Sequence, residues 1–407
     1  MILNPFLLLL FIYTSANTYS LITLLSNGGF EVFGIFYKIE KSSAAIAYFL
    51  QLFSLLFICA FFFTAKEKQK NIIQKIQLSD RYGYFLIAVT AAFFFFNQFT
   101  GAGRAGSDFT FSGNSLANYL FVLIQPDLWF FLIAPFLRSN RIFLFSTALF
   151  FTSMLSRGWM GSVLIIGCIL LIRLYPLKLN SKNIVAACIS ILIIVATLPF
   201  LDALKWGMRL GIPLSIIIDS LLEKDYLESL AIVIDSVVSR LQNLNYVAFA
   251  VENYDSTYRL LLNGKIGWFF QNGIFSSVYC KLTECAPDVG IYMAESISGS
   301  YNLSWNIDLG FAGWIAVLNI LFPTFLVFAS ILLFAGNLVA GKLFGEKGIL
   351  LLGVFSLIYL FHGWINAFAN LTIYSIAFYL FIKTRTHQLK KTEVEFVRNS
   401  RPVRKNT

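Results

Sequence analysis

Arg157 sits at the apex of Leu155-Ser-Arg-Gly-Trp-Met-Gly161, between two short apolar runs. Its guanidinium offers a planar fork of donors that matches a phosphate, and Gly158 beside it lets a ligand approach the backbone. A cation held just below a membrane surface is costly, which favours a ligand over a side chain snorkelling to water or to lipid headgroups. Arg104 and Asp108 lie in Gly101-Ala-Gly-Arg-Ala-Gly-Ser-Asp108, a glycine-rich stretch that would cradle phosphate or sugar hydroxyls, or simply turn. Farther along stand Arg209, Arg240 and Arg259, with a solvated face the plainer reading for the first and last. Arg240, Asn243 and Val247 have the spacing of one helical face. Glu252 and Asp255 follow as the nearest carboxylates for general-base work. Asp127 comes directly after Pro126 within an apolar run, where it would pair with Arg157 or cap a kink.

Other side chains narrow the chemistry. Cys280 and Cys285 are separated by four residues in a polar segment, which fits a disulfide in an oxidising compartment better than half a metal site. The histidines are His362, inside an apolar run, and His387, near the end of the chain, so no metal cluster and no zinc motif is expected. No Walker loop is present, and no nucleotide or other cofactor is implied. Trp268, Trp305, Trp314 and Trp364 are expected at one membrane interface, as a belt or as platforms for sugar rings.

These residues are carried by a chain of 407 residues that is 58% apolar and only 13% charged, outside the range of soluble domains. It is expected to be an all-α, polytopic helical membrane protein. Its net charge of +10 has no soluble surface on which to sit, so nucleic acid is not an expected partner. Ten apolar runs are candidate spans: Ile2–Leu25, Ser43–Phe63, Tyr82–Phe96, Leu116–Leu137, Ile142–Leu155, Met160–Ile172, Asn183–Leu201, Ile307–Leu333, Gly348–His362 and Leu371–Ile382. No Lys or Arg precedes the first, which therefore reads as an uncleaved span. The stretches after even-numbered spans hold 20 of the 31 basic residues, so those ends and both termini are expected in the cytoplasm. The division is then spans one to seven in 1–201, a large outer loop in 202–306, spans eight to ten in 307–382 and a basic tail in 383–407.

A structureless loop of such length is improbable, so helices are expected inside it. Pro213 starts one, with Ile216, Ile217, Leu221 and Leu222 as its apolar stripe. Asp225 is placed to cap a second, with Glu228 at the capping-box position, running to about Val251. Beyond it, glycines and prolines punctuate an aromatic-rich segment. No matched pair of broken helices marks the two halves, which weighs against a secondary transporter.

With its large loop late in the chain, the protein resembles the O-antigen polymerase family, bacterial polymerases of oligosaccharide repeat units. Ser156-Arg157-Gly158 is similar to a Ser-Arg-Gly turn of that family, and Asp308-Leu-Gly310-Phe-Ala-Gly313 to its Asp-Phe-Gly-x-x-Gly motif. The resemblance implies a GT-C-like membrane fold in the bacterial inner membrane with the large loop periplasmic. It implies a metal-independent glycosyltransferase whose donor and acceptor glycans are linked to undecaprenyl pyrophosphate. Membrane lipids and a chain-length regulator protein are the further partners it suggests. Arg157 and Arg240 would bind pyrophosphate, and Glu252 or Asp255 would deprotonate the acceptor hydroxyl. Arg104, Gly158, Arg209, Arg259 and Asp308 would complete the substrate site. An O-antigen ligase shares the architecture, but 202–306 lacks the histidine of a His-assisted site. A flippase or other polysaccharide transporter is the remaining alternative.

Overall fold

The computed structural model describes residues 2–32, 34–69, 77–103, 115–223, 225–271, 286–298 and 307–399. Arg104, Asp108, Cys280, Cys285 and Trp305 fall outside these residues. What is described is almost wholly helical, and seven of its helical stretches are long and apolar enough to cross a membrane. The chain is a polytopic helical membrane protein.

A two-residue strand, β1 (Ile2–Leu3), leads into α1 (Pro5–Asn27), where Asn4 caps the Phe6 amide and Pro5 fills the first turn. A hairpin, β2 (Gly29–Val32) with β3 (Ile35–Lys38), connects to α2 (Lys41–Gln69), and α3 (Asp80–Thr100) follows. The fourth apolar run is broken into α4 (Ser115–Ile124) and α5 (Pro126–Ile133) at Gln125, which adopts a left-handed φ of 43°. Pro126 has no amide to continue α4, so it starts a fresh helix and puts Asp127 in its first turn. Then come α6 (Asn140–Ser156), α7 (Ser162–Leu174), β4 (Leu177–Lys178) and α8 (Ser181–Leu210).

The loop region holds α9 (Leu214–Glu223), α10 (Tyr226–Leu241), α11 (Leu244–Glu252), α12 (Tyr254–Leu262) and α13 (Val289–Ser298). The chain re-enters the bundle as α14 (Gly310–Leu318), α15 (Phe322–Phe344), α16 (Glu346–Phe355) with a π turn at Ser356–Phe361, and α17 (Ile365–Asn399). Helix covers most of each of the ten apolar runs, and seven of the helical stretches are long and apolar enough to cross a membrane.

Three expectations need correcting. The helix of the last apolar run before the loop does not end at Leu201; α8 continues about two and a half more turns, to Leu210, so Lys205 and Arg209 lie on it. The helix capped by Asp225 stops at Leu241 instead of about Val251. Asp225 does accept from the Leu227 amide at 2.8 Å. The stop comes from tertiary bonding: Ser20 donates to Gln242 and Asn245, and the Asn243 amide donates to Asn17. Arg240, Asn243 and Val247 therefore do not share one helical face. Trp314, expected at the interface, is buried against Phe269 and Phe325.

Contacts between connections sort the bundle into two ends. At one, β1 pairs with β4, Leu78 bridges Leu137, Arg173 donates to the Leu137 carbonyl at 2.7 Å, and Lys347 donates to the Arg173 carbonyl. Lys66 and Glu346 form an ion pair there at 3.0 Å. At the other end gather the β2–β3 hairpin, the α6–α7 turn, the loop helices and the segment before α14. Tyr37 donates to the Ile297 carbonyl, and Asn243 to the Asp308 carbonyl at 3.2 Å. Between the ends runs an aromatic core, with Phe130 stacked on Phe150 at 4.0 Å and Phe136 on Phe344 at 3.6 Å.

Candidate functional site

The α6–α7 turn is the centre of the second end. α6 finishes at Ser156, Arg157 takes the capping position, and Gly158 turns the chain with a φ of 76°. Only glycine adopts that conformation without strain, and a Cβ on Gly158 would stand 2.7 Å from Cγ of Arg209. Gly158 is thus required twice, for the turn and for the arginine laid across it.

Arg157 points inward, its side chain only 7% exposed. Nη2 reaches both Asp127 oxygens at 2.9 Å, Nε donates to the Ser153 carbonyl at 3.1 Å, and the guanidinium lies 4.8 Å from the centre of the Phe93 ring. The pairing anticipated for Asp127 is therefore present, and the helix break at Gln125 is what aims that carboxylate at the turn. Buried and paired, Arg157 ties α5 to the apex.

The cation bound to the turn, and the two near it in charge, come from other elements. On the last turns of α8, Arg209 donates through Nε at 3.2 Å and Nη2 at 3.0 Å to the Gly158 carbonyl, and its guanidinium lies over Trp206. Lys205, one turn back, is paired with Asp202 at 2.7 Å. Arg240, exposed in the last turn of α10, is near enough to repel both Lys205 and Arg209. Three cations against Asp202 leave a positive surplus, whereas Arg157 and Asp127 cancel. Composition alone did not separate these roles; the i, i+4 spacing of Lys205 and Arg209 was the available signal, hidden by ending the span at Leu201.

Asp308 forms the other wall. Gly310 and Gly363 have φ of 68° and 94°, and a Cβ on Gly363 would meet the Gly310 nitrogen at 2.6 Å. Two backbones therefore cross in contact, and Asn243 binds both, donating to the Asp308 and His362 carbonyls. The π turn before His362 widens the helix so that Trp364 faces this crossing, where its indole N–H donates to the Asp308 carboxylate. Trp364 also stands edge-on to Trp159, 6.5 Å between ring centres, and Trp159 donates to the Gly103 carbonyl. The pieces of the two family-like motifs thus meet at one end of the bundle.

Glu252, Asp255 and Arg259 lie apart from this group. Glu252 ends α11, eight residues and about 12 Å along the axis from its start beside Asn243. There it accepts from the Glu40 amide. Asp255 and Arg259 pair with each other at 2.8 Å on the exposed face of α12. No protein-family model, curated protein or solved structure matches the chain. What its own fold establishes is an integral membrane protein of many helical spans.

Proposed function

We propose that this protein is a glycosyltransferase that polymerises undecaprenyl-pyrophosphate-linked oligosaccharide repeat units. It would act at the periplasmic face of a bacterial inner membrane, with ten crossings and both termini cytoplasmic. The observation that carries the reading is the grouping of Lys205 and Arg240 with Arg209, which is bound to the Gly158 carbonyl at the end of the bundle opposite the basic connections. A surplus of cations at membrane depth suits a lipid-anchored polyanion. Such a group leaves as a pyrophosphate, whose growing charge is best stabilised by donors already held in place.

In this reaction an acceptor hydroxyl attacks the anomeric carbon of the donor glycan. The new C–O bond forms as the C–O bond to pyrophosphate breaks, and the electron pair leaves with the phosphate. Arg209 and Arg240 hold the pyrophosphate. Arg157 is a positioning residue, fixing the turn whose carbonyl orients Arg209. Asp308 takes the hydroxyl proton, since it stands beside Trp364 at the wall facing the turn, while the Glu252 and Asp255 carboxylates are engaged elsewhere.

The test is Arg209→Ala and Arg240→Ala in cells, with polymer length followed on gels and lipid-linked glycans recovered. Single unpolymerised repeats at normal protein level are the expected outcome. Normal polymer from both variants sinks the assignment. Full-length polymer stranded on its carrier would identify a ligase, and repeats held in the cytoplasm a flippase.

A further inference from the structure

A second cleft opens at the same end of the bundle, away from the Gly158 turn. It encloses about 750 Å³ between the end of β3, the first turns of α2 and the last turn of α11. Lys38, Glu40 and Glu252 supply its charges, and Ile46, Leu50 and Ala316 its apolar wall. One Glu252 oxygen accepts from the Glu40 amide, which fixes the carboxylate at the cleft and leaves the second oxygen for a ligand. The apolar wall does not close the cleft off. It continues down α2 as Ile46, Phe49, Phe53 and Leu56, all exposed and spaced along the outward side of a membrane-spanning helix. The cleft therefore has a charged mouth of both signs and an apolar face running from it into the bilayer.

We propose that this cleft holds a phospholipid with a zwitterionic headgroup and a primary ammonium, the phosphatidylethanolamine class. The ammonium donates to Glu252 and Glu40, the phosphate lies against Lys38, and the acyl chains follow the Ile46–Leu56 stripe. An anionic lipid would place its surplus charge beside two carboxylates. A quaternary ammonium would fill the mouth without a hydrogen to donate. The site stands independently of the glycan reading, because neither Lys38 nor Glu252 belongs to the machinery assigned there.

The experiment is native mass spectrometry of the full chain in detergent. It is titrated with phosphatidylethanolamine, phosphatidylcholine and phosphatidylglycerol of identical acyl chains. Phosphatidylethanolamine should bind about tenfold tighter than the others, the worth of one charge-assisted hydrogen bond. Glu252→Gln keeps an acceptor for the Glu40 amide but removes the charge, and should bring phosphatidylethanolamine to the level of phosphatidylcholine. Lys38→Gln, at an exposed position, should weaken phosphatidylethanolamine and phosphatidylcholine alike. Equal binding of the three lipids, an unchanged preference in Glu252→Gln, or undiminished binding in Lys38→Gln overturns the proposal. Soluble glycerophosphoethanolamine competing as well as the intact lipid would overturn the role of the apolar stripe.

Discussion

Arg157 shows how a side chain chosen for chemistry turns out to be held for structure. The sequence pattern that marked it, a lone cation between apolar runs with glycine beside it, is the same whether the guanidinium faces a ligand or a carboxylate thirty residues earlier. Only the left-handed break at Gln125 decides, by swinging Asp127 onto it. Removing either partner strands the other, and Asp127→Ala should cost about 3 kcal/mol, toward the low end of such losses because its carboxylate keeps some water. The double change Asp127→Asn with Arg157→Gln should cost less than the sum of the singles. Thermal unfolding in detergent, read by size-exclusion fluorescence, measures both. Arg209→Ala should leave that midpoint nearly unmoved while abolishing polymer.

Helix starts were legible and helix stops were not. Asp225 and Pro126 announce their helices by local chemistry, because a side-chain acceptor or a missing amide acts within one turn. The stop at Gln242 carries no glycine or proline; it is imposed by Ser20 and Asn17 on α1, more than two hundred residues away. The crossing of the Asp308–Gly310 and His362–Gly363 segments is likewise long-range. Its glycines were visible in the sequence, but their partners were not.

At the scale of the whole molecule, the alternation of basic connections proved the most legible feature. Lys66, Arg173 and Lys347 had been grouped by charge alone, and contacts gather their neighbourhoods at one end of the bundle. The grouping is readable because it follows from composition of short connections and needs no knowledge of packing. It also gives a topological prediction. A cysteine placed at Ser139 and one at Ser256, in a background lacking the native thiols, should label from opposite faces of intact membrane vesicles with a membrane-impermeant maleimide. Labelling of both from the same face would contradict the two-ended arrangement. The candidate site was less readable, because its cations come from α8 and α10, its carboxylate from the segment before α14 and its turn from α6 and α7.

Residues 181 to 198 of α8 include no buried side chain, yet the same helix carries Arg209 to the Gly158 turn. Its 30 residues extend about 45 Å, half as long again as a ~30 Å hydrocarbon core. A helix of that length fits the core only by tilting or by projecting beyond it, and with no side chain buried over residues 181 to 198, little packing opposes a tilt. A bilayer of shorter-chain lipids should therefore shift Arg209 against the Gly158 carbonyl, and with it any activity that Arg209 supports.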